Sequence, residues 1–306
     1  MASRSDKRGA VAARTRSPRP APRPSIGDEL EAASAALRRA GVSSPDHLAL
    51  RTWSSLARTT PGGVWRERSA APPGGDLVFR FRDAIARQAA GEPFQYTVNL
   101  AGFRLLDLFV DRRVLIPRSE TEGLVAHVLE RALRHPRGVV ADIGTGSGAI
   151  ALALASEGSF DRVLATDVSR DAIDVARLNL ASVAPVTPVE FRQGSLLEPL
   201  AGRVVDAIVS NPPYVSSSEW RGLMPLVRDF EPRLALDGGP DGLTPTRTLL
   251  RDAAAHLAPG GLLALEIDST RGAQTLDIAR ECGWHHGCIL PDAAGRDRYF
   301  LATRSG

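Results

Sequence analysis

The chain has 306 residues, 43% hydrophobic and 24% charged, a soluble globular balance with room for about two domains at roughly 150 residues each. That excludes wholesale disorder, a disulfide-stapled miniprotein and a membrane bundle, because the longest apolar run, Ala149 to Ala155, is far too short to cross a bilayer. The formal net charge of +3 is unevenly spread: residues 1–24 carry seven basic residues against Asp6 alone, which leaves 31 basic and 34 acidic residues elsewhere, a net of −3.

The basic character therefore belongs to a Pro/Arg/Ser tail over residues 1–25, read as disordered, and not to a folded nucleic-acid-binding surface. A weak contact of that tail with RNA or the ribosome is its functional alternative. No apolar stretch follows the N-terminal charges, so neither a secretory signal nor a membrane anchor is expected, and the expected location is cytoplasmic. Cys282 and Cys288 lack CxxC or Cys/His spacing, which favours reduced structural thiols and no metal site.

Apolar positions recur at helical spacing from Gly27 to Arg39, with Gly41 at the expected stop, and a second helix starts after Ser44-Pro45 and runs to about Arg58. The Gly- and Pro-rich stretch Thr60 to Gly75 reads as a long loop, and a third helix fits Leu77 to Ala90. Residues 26–92 are thus expected to form a small helical domain. From Phe94 the pattern turns extended: strands Phe103 to Val110 and Val114 to Ile116, joined through Asp111-Arg112, predict a β-hairpin linker over 93–117. Ser119 with Glu122 makes an S-x-x-E capping box that opens a helix to about Arg134.

From there β and α patterns alternate. Strands are expected at Val139 to Ile143, Arg162 to Thr166, Val189 to Gln193, Val204 to Ser210, Leu262 to Ile267 and Arg298 to Ala302. Helices are expected at Ala149 to Ser156, Asp171 to Leu180, Thr246 to His256 and Ala273 to Cys282. This alternation predicts, over residues 118–306, an α/β fold with a doubly wound, parallel, Rossmann-like sheet covered by helices on both faces.

The apolar strand Val139 to Ile143 leads into Gly144-Thr145-Gly146-Ser147-Gly148. Such a turn bends sharply and lets a ligand approach without a Cβ in the way. About 20 residues on, the next strand ends in Asp167, suited to accept hydrogen bonds from two ribose hydroxyls. A tight βα turn without a ligand is the bland alternative. Two cofactor classes fit the unit, the nicotinamide dinucleotides and S-adenosyl-L-methionine (SAM). The spacing is GxGxG and not the dinucleotide GxGxxG, which shifts the balance toward SAM only modestly, so the fourth strand must decide.

That strand ends in Asn211-Pro212-Pro213-Tyr214, at the carboxyl edge beside the glycine turn. A carboxamide nitrogen is a poor nucleophile because its lone pair is delocalised, the resonance that gives a C–N rotation barrier of roughly 18–20 kcal/mol. The Asn211 side-chain carbonyl can accept one N–H and the Pro212 main-chain carbonyl the other, aiming the nitrogen at an electrophile. Two prolines hold this pair of carbonyls rigid. Tyr214 can lay its ring against a planar substrate or beside a sulfonium cation.

With these residues in view, Asn211 to Tyr214 together with Asp142 to Gly148 resembles the class I SAM-dependent methyltransferases that modify amino groups. More narrowly, Val114-Leu115-Ile116-Pro117-Arg118-Ser119-Glu120-Thr121-Glu122 and the segment Glu231 to Leu243 resemble the HemK/PrmC family, the release-factor glutamine methyltransferases. The resemblance implies SAM as cofactor and N5-methylation of the glutamine in the Gly-Gly-Gln loop of peptide chain release factors, with the helical domain docking the protein substrate. Carried over by position, Gly144, Thr145, Gly146, Ser147 and Gly148 would line the methionine end and Asp167 the ribose. Leu196 would lie near the adenine, Asn211 would touch cofactor and glutamine alike, and Arg118 to Glu122 would help close the cofactor cleft.

The chain departs from the family pattern at Ser195 and Leu196 after the third strand, at Ser119, at Glu266 to Thr270, and at the Gly/Pro stretch where relatives carry further helix. The resemblance calls for no metal, and His127, His135, His256, His285 and His286 read as structural or solvated. Two rivals remain: a methyltransferase acting on an exocyclic amine of a nucleic-acid base (adenine N6 or guanine N2), which the net charge of −3 disfavours, and a non-catalytic adaptor on the same fold.

Overall fold

The computed structural model describes residues 24–132 and 138–305. The tail before Pro24, the expected helix end at Arg134, and His135 lie outside the described residues.

Helix α1 (Ile26–Arg39) opens on a reciprocal cap, in which the Ser25 hydroxyl accepts from the Asp28 N–H while the Asp28 carboxylate accepts from the Ser25 N–H. Helices α2 (Pro45–Leu56), α3 (Pro61–Glu67) and α4 (Leu77–Ala89) pack with it around Leu37, Trp53, Val64 and Phe81. The expected loop from Thr60 to Gly75 is therefore corrected over its first half. Thr60 caps α3 by accepting from the Gly63 N–H at 3.1 Å, and Pro61 occupies the first helical position. Proline and glycine are tolerated in a first turn because its N–H groups have no intrahelical acceptor.

The following stretch also differs from expectation. Phe94–Val98 form a short helix, α5, and the hairpin pairs β1 (Ala101–Phe103) with β2 (Leu106–Leu108) around Arg104-Leu105 instead of Asp111-Arg112. Arg104 adopts φ +52°; its backbone N–H donates to the Glu122 carboxylate at 3.1 Å and its guanidinium pairs with Glu157 at 2.6 Å. Residues Val114 to Ile116 form no strand. Tyr96, Val110, Val114 and Ile116 instead pack with Ala172 and Val175. Helix α6 spans Ser119–Ala132 without the expected capping box, since Ser119 lies inside it and bonds Glu120 while Glu122 serves Arg104.

The remaining elements are β3 (Val139–Ile143), α7 (Ala149–Glu157), β4 (Arg162–Asp167), α8 (Arg170–Val183), β5 (Val189–Gln193), β6 (Val205–Ser210), α9 (Pro225–Arg228), α10 (Thr244–Asp252), β7 (Leu257–Glu266), α11 (Gly272–Glu281), β8 (Cys288–Pro291) and β9 (Asp297–Thr303). They build a seven-stranded sheet in the order β5-β4-β3-β6-β7-β9-β8. The expected all-parallel sheet is corrected to a mixed one, because β9 runs antiparallel to both β7 and β8. Side chains alternate between two cores: Val140, Val163 and Val209 face one, Ala141, Leu164 and Ile208 the other. Helix α7, buried along Ala149 to Ala155, belongs to the first core, while α10 and α11 cover the second. Among the described residues no helix is long and apolar enough to cross a membrane.

Candidate active site

The sheet reverses its winding beside β3, which has β4 on one side and β6 on the other. Ligands of open α/β sheets bind at such a switch point, outside the carboxyl ends of the strands. Register makes the placement concrete. Ile143 pairs with Thr166 of β4 and Ser210 of β6, so the next residues, Asp167, Gly144 and Asn211, emerge abreast at one edge.

The glycine turn is held from beneath. Asp142 is fully buried; its Oδ2 accepts from Thr145 Oγ1 at 2.6 Å and from the Ala151 N–H at 3.1 Å, while Oδ1 has no hydrogen-bond partner. Loss of water around this carboxyl pushes it up to about 7. The N–H groups of Gly144 and Thr145 both donate to the Thr166 carbonyl at 2.8 Å. At the end of β4 the Asp167 carboxylate accepts from the Gly146 N–H at 2.9 Å and the Ser169 N–H at 2.8 Å, and burial raises its pKa against the pull of those donors. Ser147 is buried and its carbonyl accepts from Asn179 at 2.9 Å; Gly148 caps α7.

Gly144 and Gly146 have φ of +74° and +56°, yet a Cβ on either would meet no protein atom within 4 Å. Their backbone geometry requires glycine while protein packing does not, which leaves an open backbone face over the turn. That open face, flanked by the Asp167 carboxylate, fits a nucleoside cofactor with a short polar tail such as SAM. Leu196 has φ +46° and packs half-buried against the second core, and no hydrogen bond described ties it to the turn.

On the other side of Gly144, the tetrapeptide is enclosed by side chains. Asn211 Nδ2 donates to Thr121 Oγ1 at 3.0 Å, Thr121 Oγ1 donates to Glu266 Oε2 at 2.7 Å, and the Tyr214 hydroxyl donates to Glu266 Oε1 at 3.3 Å. Glu266 is 1% exposed, and burial lifts its carboxyl above the usual range. The same burial, with Glu266 beside it, raises the Tyr214 phenol. Pro212 is buried and Pro213 half-buried. The segment after Glu231 braces the motif: the Val215 N–H donates to the Leu236 carbonyl at 2.9 Å and the Gly238 N–H to the Val215 carbonyl at 2.8 Å. Gly238 lies so close that a Cβ would sit 2.8 Å from the Pro213 carbonyl oxygen.

Sequence reasoning missed the part that four residues play in this arrangement. Two are Thr121 and Glu266; another is Arg271, with its guanidinium bonded to the Asp241 carbonyl at 3.0 Å, the Tyr214 carbonyl at 3.3 Å and Glu219 at 2.7 Å. The fourth is Glu231, whose buried carboxylate pairs with Arg118 at 2.6 Å and ties Arg118 to the bracing segment. A cavity of about 590 Å³ lined by Ser216, Glu219, Asp241 and Arg271 opens beyond the tetrapeptide, not over the glycine turn.

The sheet order and the open turn beside a polar tetrapeptide define a Rossmann-like methyltransferase. The Methyltransferase small domain family matches residues 121–238. A solved structure with this fold is the hMettl16 catalytic domain in complex with MAT2A 3'UTR hairpin 6, at TM-score 0.54 and 15% identity over 83% of this chain and 92% of that one. The release factor glutamine methyltransferase of Moorella thermoacetica is 50% identical over 226 residues, 74% of this chain and 80% of the relative. Those of Streptomyces coelicolor and Deinococcus radiodurans are 38% and 40% identical, over 90% and 92% of this chain and 97% and 99% of their own lengths. The chain belongs to the release factor glutamine methyltransferase family.

Proposed function

We propose that this protein methylates the side-chain amide nitrogen (N5) of a protein glutamine with SAM as donor, and that the acceptor is the Gly-Gly-Gln glutamine of a peptide chain release factor in the cytoplasm. The observation that carries this reading is the shared register of β3, β4 and β6, which sets Asn211 abreast of Gly144 and Asp167. Family membership across nearly the whole chain supports the acceptor, and so does the net charge of −3 outside the first 24 residues, which suits a protein loop better than a polyanion.

When bound, SAM supplies a methyl group carried on a sulfonium. The open face of Gly144 to Gly148 would hold its methionine end, Asp167 its ribose hydroxyls, and Leu196 would stand near the adenine. Asn211 Oδ1 and the Pro212 carbonyl accept the two N–H bonds of the acceptor amide and hold its nitrogen in line with the methyl carbon. Tyr214, anchored through its hydroxyl to Glu266, presents its ring to the amide plane. The two carbonyls would also stabilise the positive charge that develops on the acceptor nitrogen as its bond to the methyl carbon replaces the methyl–sulfur bond and a neutral thioether leaves, and the proton would afterwards pass from that nitrogen to solvent. The helical cluster of α1 to α4 would dock the release factor; Trp65 and Phe79 on its surface are 57% and 75% exposed.

The test is incubation with labelled SAM and purified release factor, then mapping of the methylated residue by mass spectrometry. Label on the loop glutamine is expected. Label on bulk RNA or DNA and none on the release factor would replace this reading with base methylation.

A further inference from the structure

The tetrapeptide needs Asn211 to face its acceptor with the carbonyl end, but a carboxamide is nearly symmetric in shape and can turn over at little steric cost. Something must set its polarity. Asn211 Nδ2 meets Thr121 Oγ1 at 3.0 Å, and that hydroxyl has a single hydrogen. The hydrogen is committed elsewhere, to Glu266 Oε2 at 2.7 Å. Thr121 therefore shows Asn211 only lone pairs, and only the NH₂ end of the amide can face them. A flipped amide would set two acceptors against each other, with Thr121 just 4% and Glu266 1% exposed, where water is shut out.

We infer that Glu266, acting through the Thr121 hydroxyl, fixes the amide orientation of Asn211 so that Oδ1 faces the acceptor, which makes Thr121 and Glu266 positioning residues for methyl transfer. The same carboxylate takes the Tyr214 hydroxyl on its other oxygen at 3.3 Å, so one buried group orients both ends of Asn211-Pro212-Pro213-Tyr214. Thr121 stands in the first turn of α6 and Glu266 at the last position of β7. The relay thus draws together three segments far apart in the chain, with Thr121 and Glu266 separated by 145 in residue number. The burial that raises the Glu266 pKa is opposed by the Thr121 and Tyr214 donors and by the nearby charge of Arg298. The inference rests on the proposed amide methylation, and the experiment separates the two.

Thr121→Val keeps the side-chain shape and removes the hydroxyl; Thr121→Ser keeps the hydroxyl and removes a methyl. If Thr121 serves packing alone, Val retains activity better than Ser. If it relays polarity, the order inverts. With purified release factor and labelled SAM, Thr121→Val should lower kcat at least thirtyfold with SAM affinity within threefold of wild type, and Thr121→Ser should stay within fivefold of wild-type kcat. Thr121→Val at near wild-type kcat, Thr121→Ser as impaired as Thr121→Val, or loss of SAM affinity in parallel with kcat would each overturn the relay. A wild-type protein that leaves the release factor unlabelled, or an Asn211→Ala protein that still methylates it, would instead overturn the underlying reading.

Discussion

At the ends of β3 and β4 the site is mainly backbone, with one side chain, the Asp167 carboxylate, at its flank: Gly144 and Gly146 lie open at positive φ, and the turn is held through N–H groups, carbonyls and that carboxylate. At the ends of β6 and β7 it is side chain: the half-buried Asn211 and Tyr214 join the buried Thr121 and Glu266 in one connected network. The two edges meet the demands of two different ligands. A cofactor that must enter and leave on every turnover is served by an open surface whose shape is set by main-chain geometry. An amide that must be held in one of two nearly isosteric orientations is served by fixed dipoles, which act most strongly where the medium is dry. Substitutions on the two edges should therefore separate binding from turnover.

The largest effect is expected at Asn211. Asn211→Ala removes one of the two carbonyls that aim the acceptor nitrogen, and kcat should fall on the order of a thousandfold or more while SAM affinity measured by calorimetry changes little. Full activity would remove the side-chain edge from the reaction. Next comes Gly146→Val, which puts a branched side chain at φ +56° and into the open face. SAM affinity should drop about a hundredfold, with kcat at saturating SAM nearly preserved. A fall in kcat without a loss of affinity would break the division of labour between the edges. Asp167→Asn should be milder. One acceptor oxygen remains for the Gly146 or Ser169 N–H, and a weakening of SAM binding by about tenfold, roughly 1.4 kcal/mol, is expected.

How far these edges were legible in the sequence follows from how local they are. Gly144 to Gly148 and Asn211 to Tyr214 are contiguous strings at strand ends, and β3, β5 and the last residue of β6 fall where hydrophobic patterning places them. Thr121 falls within a motif and Glu266 at a departure from the family pattern, but the bond between them exists only once folding buries them against one another, and no periodicity encodes a hydrogen bond between α6 and β7. The misread hairpin has the same origin, since the φ of +52° at Arg104 is held by Glu122 and Glu157, residues from α6 and α7. Helix α3 escaped because its glycines and proline fall in the one turn that tolerates them. Strand direction was equally invisible: β9 has the same burial pattern whichever way it runs.

The last effect lies beneath the glycine turn and is a matter of stability, not of turnover. Asp142 moves from an ordinary 3.8 up to about 7 on folding, chiefly because its carboxyl loses water, with the nearby Asp167 charge adding to the rise. A raised carboxyl pKa means that the folded protein holds a proton the unfolded chain has released. The stabilisation linked to that proton is complete below pH 3.8 and is lost as pH climbs through 7. Across that window the slope from this one group is at most about 1.4 kcal/mol per pH unit. Other carboxylates paired with arginine, such as Glu92 held down at about 2 by Arg87 and Arg112, exert their opposite dependence only below pH 4.5. Between pH 5 and 8 the cofactor-free protein should therefore lose melting temperature as pH rises. Asp142→Asn keeps an acceptor for Thr145 and the Ala151 N–H but has no proton to lose, so its melting temperature should fall less steeply over the same range, with the remaining slope coming from Asp167 and Glu266, whose carboxyls burial also raises. A wild-type profile no steeper than that of Asp142→Asn would show that the Asp142 pKa is not raised by folding, and that the open edge is no less hydrated beneath its backbone than above it.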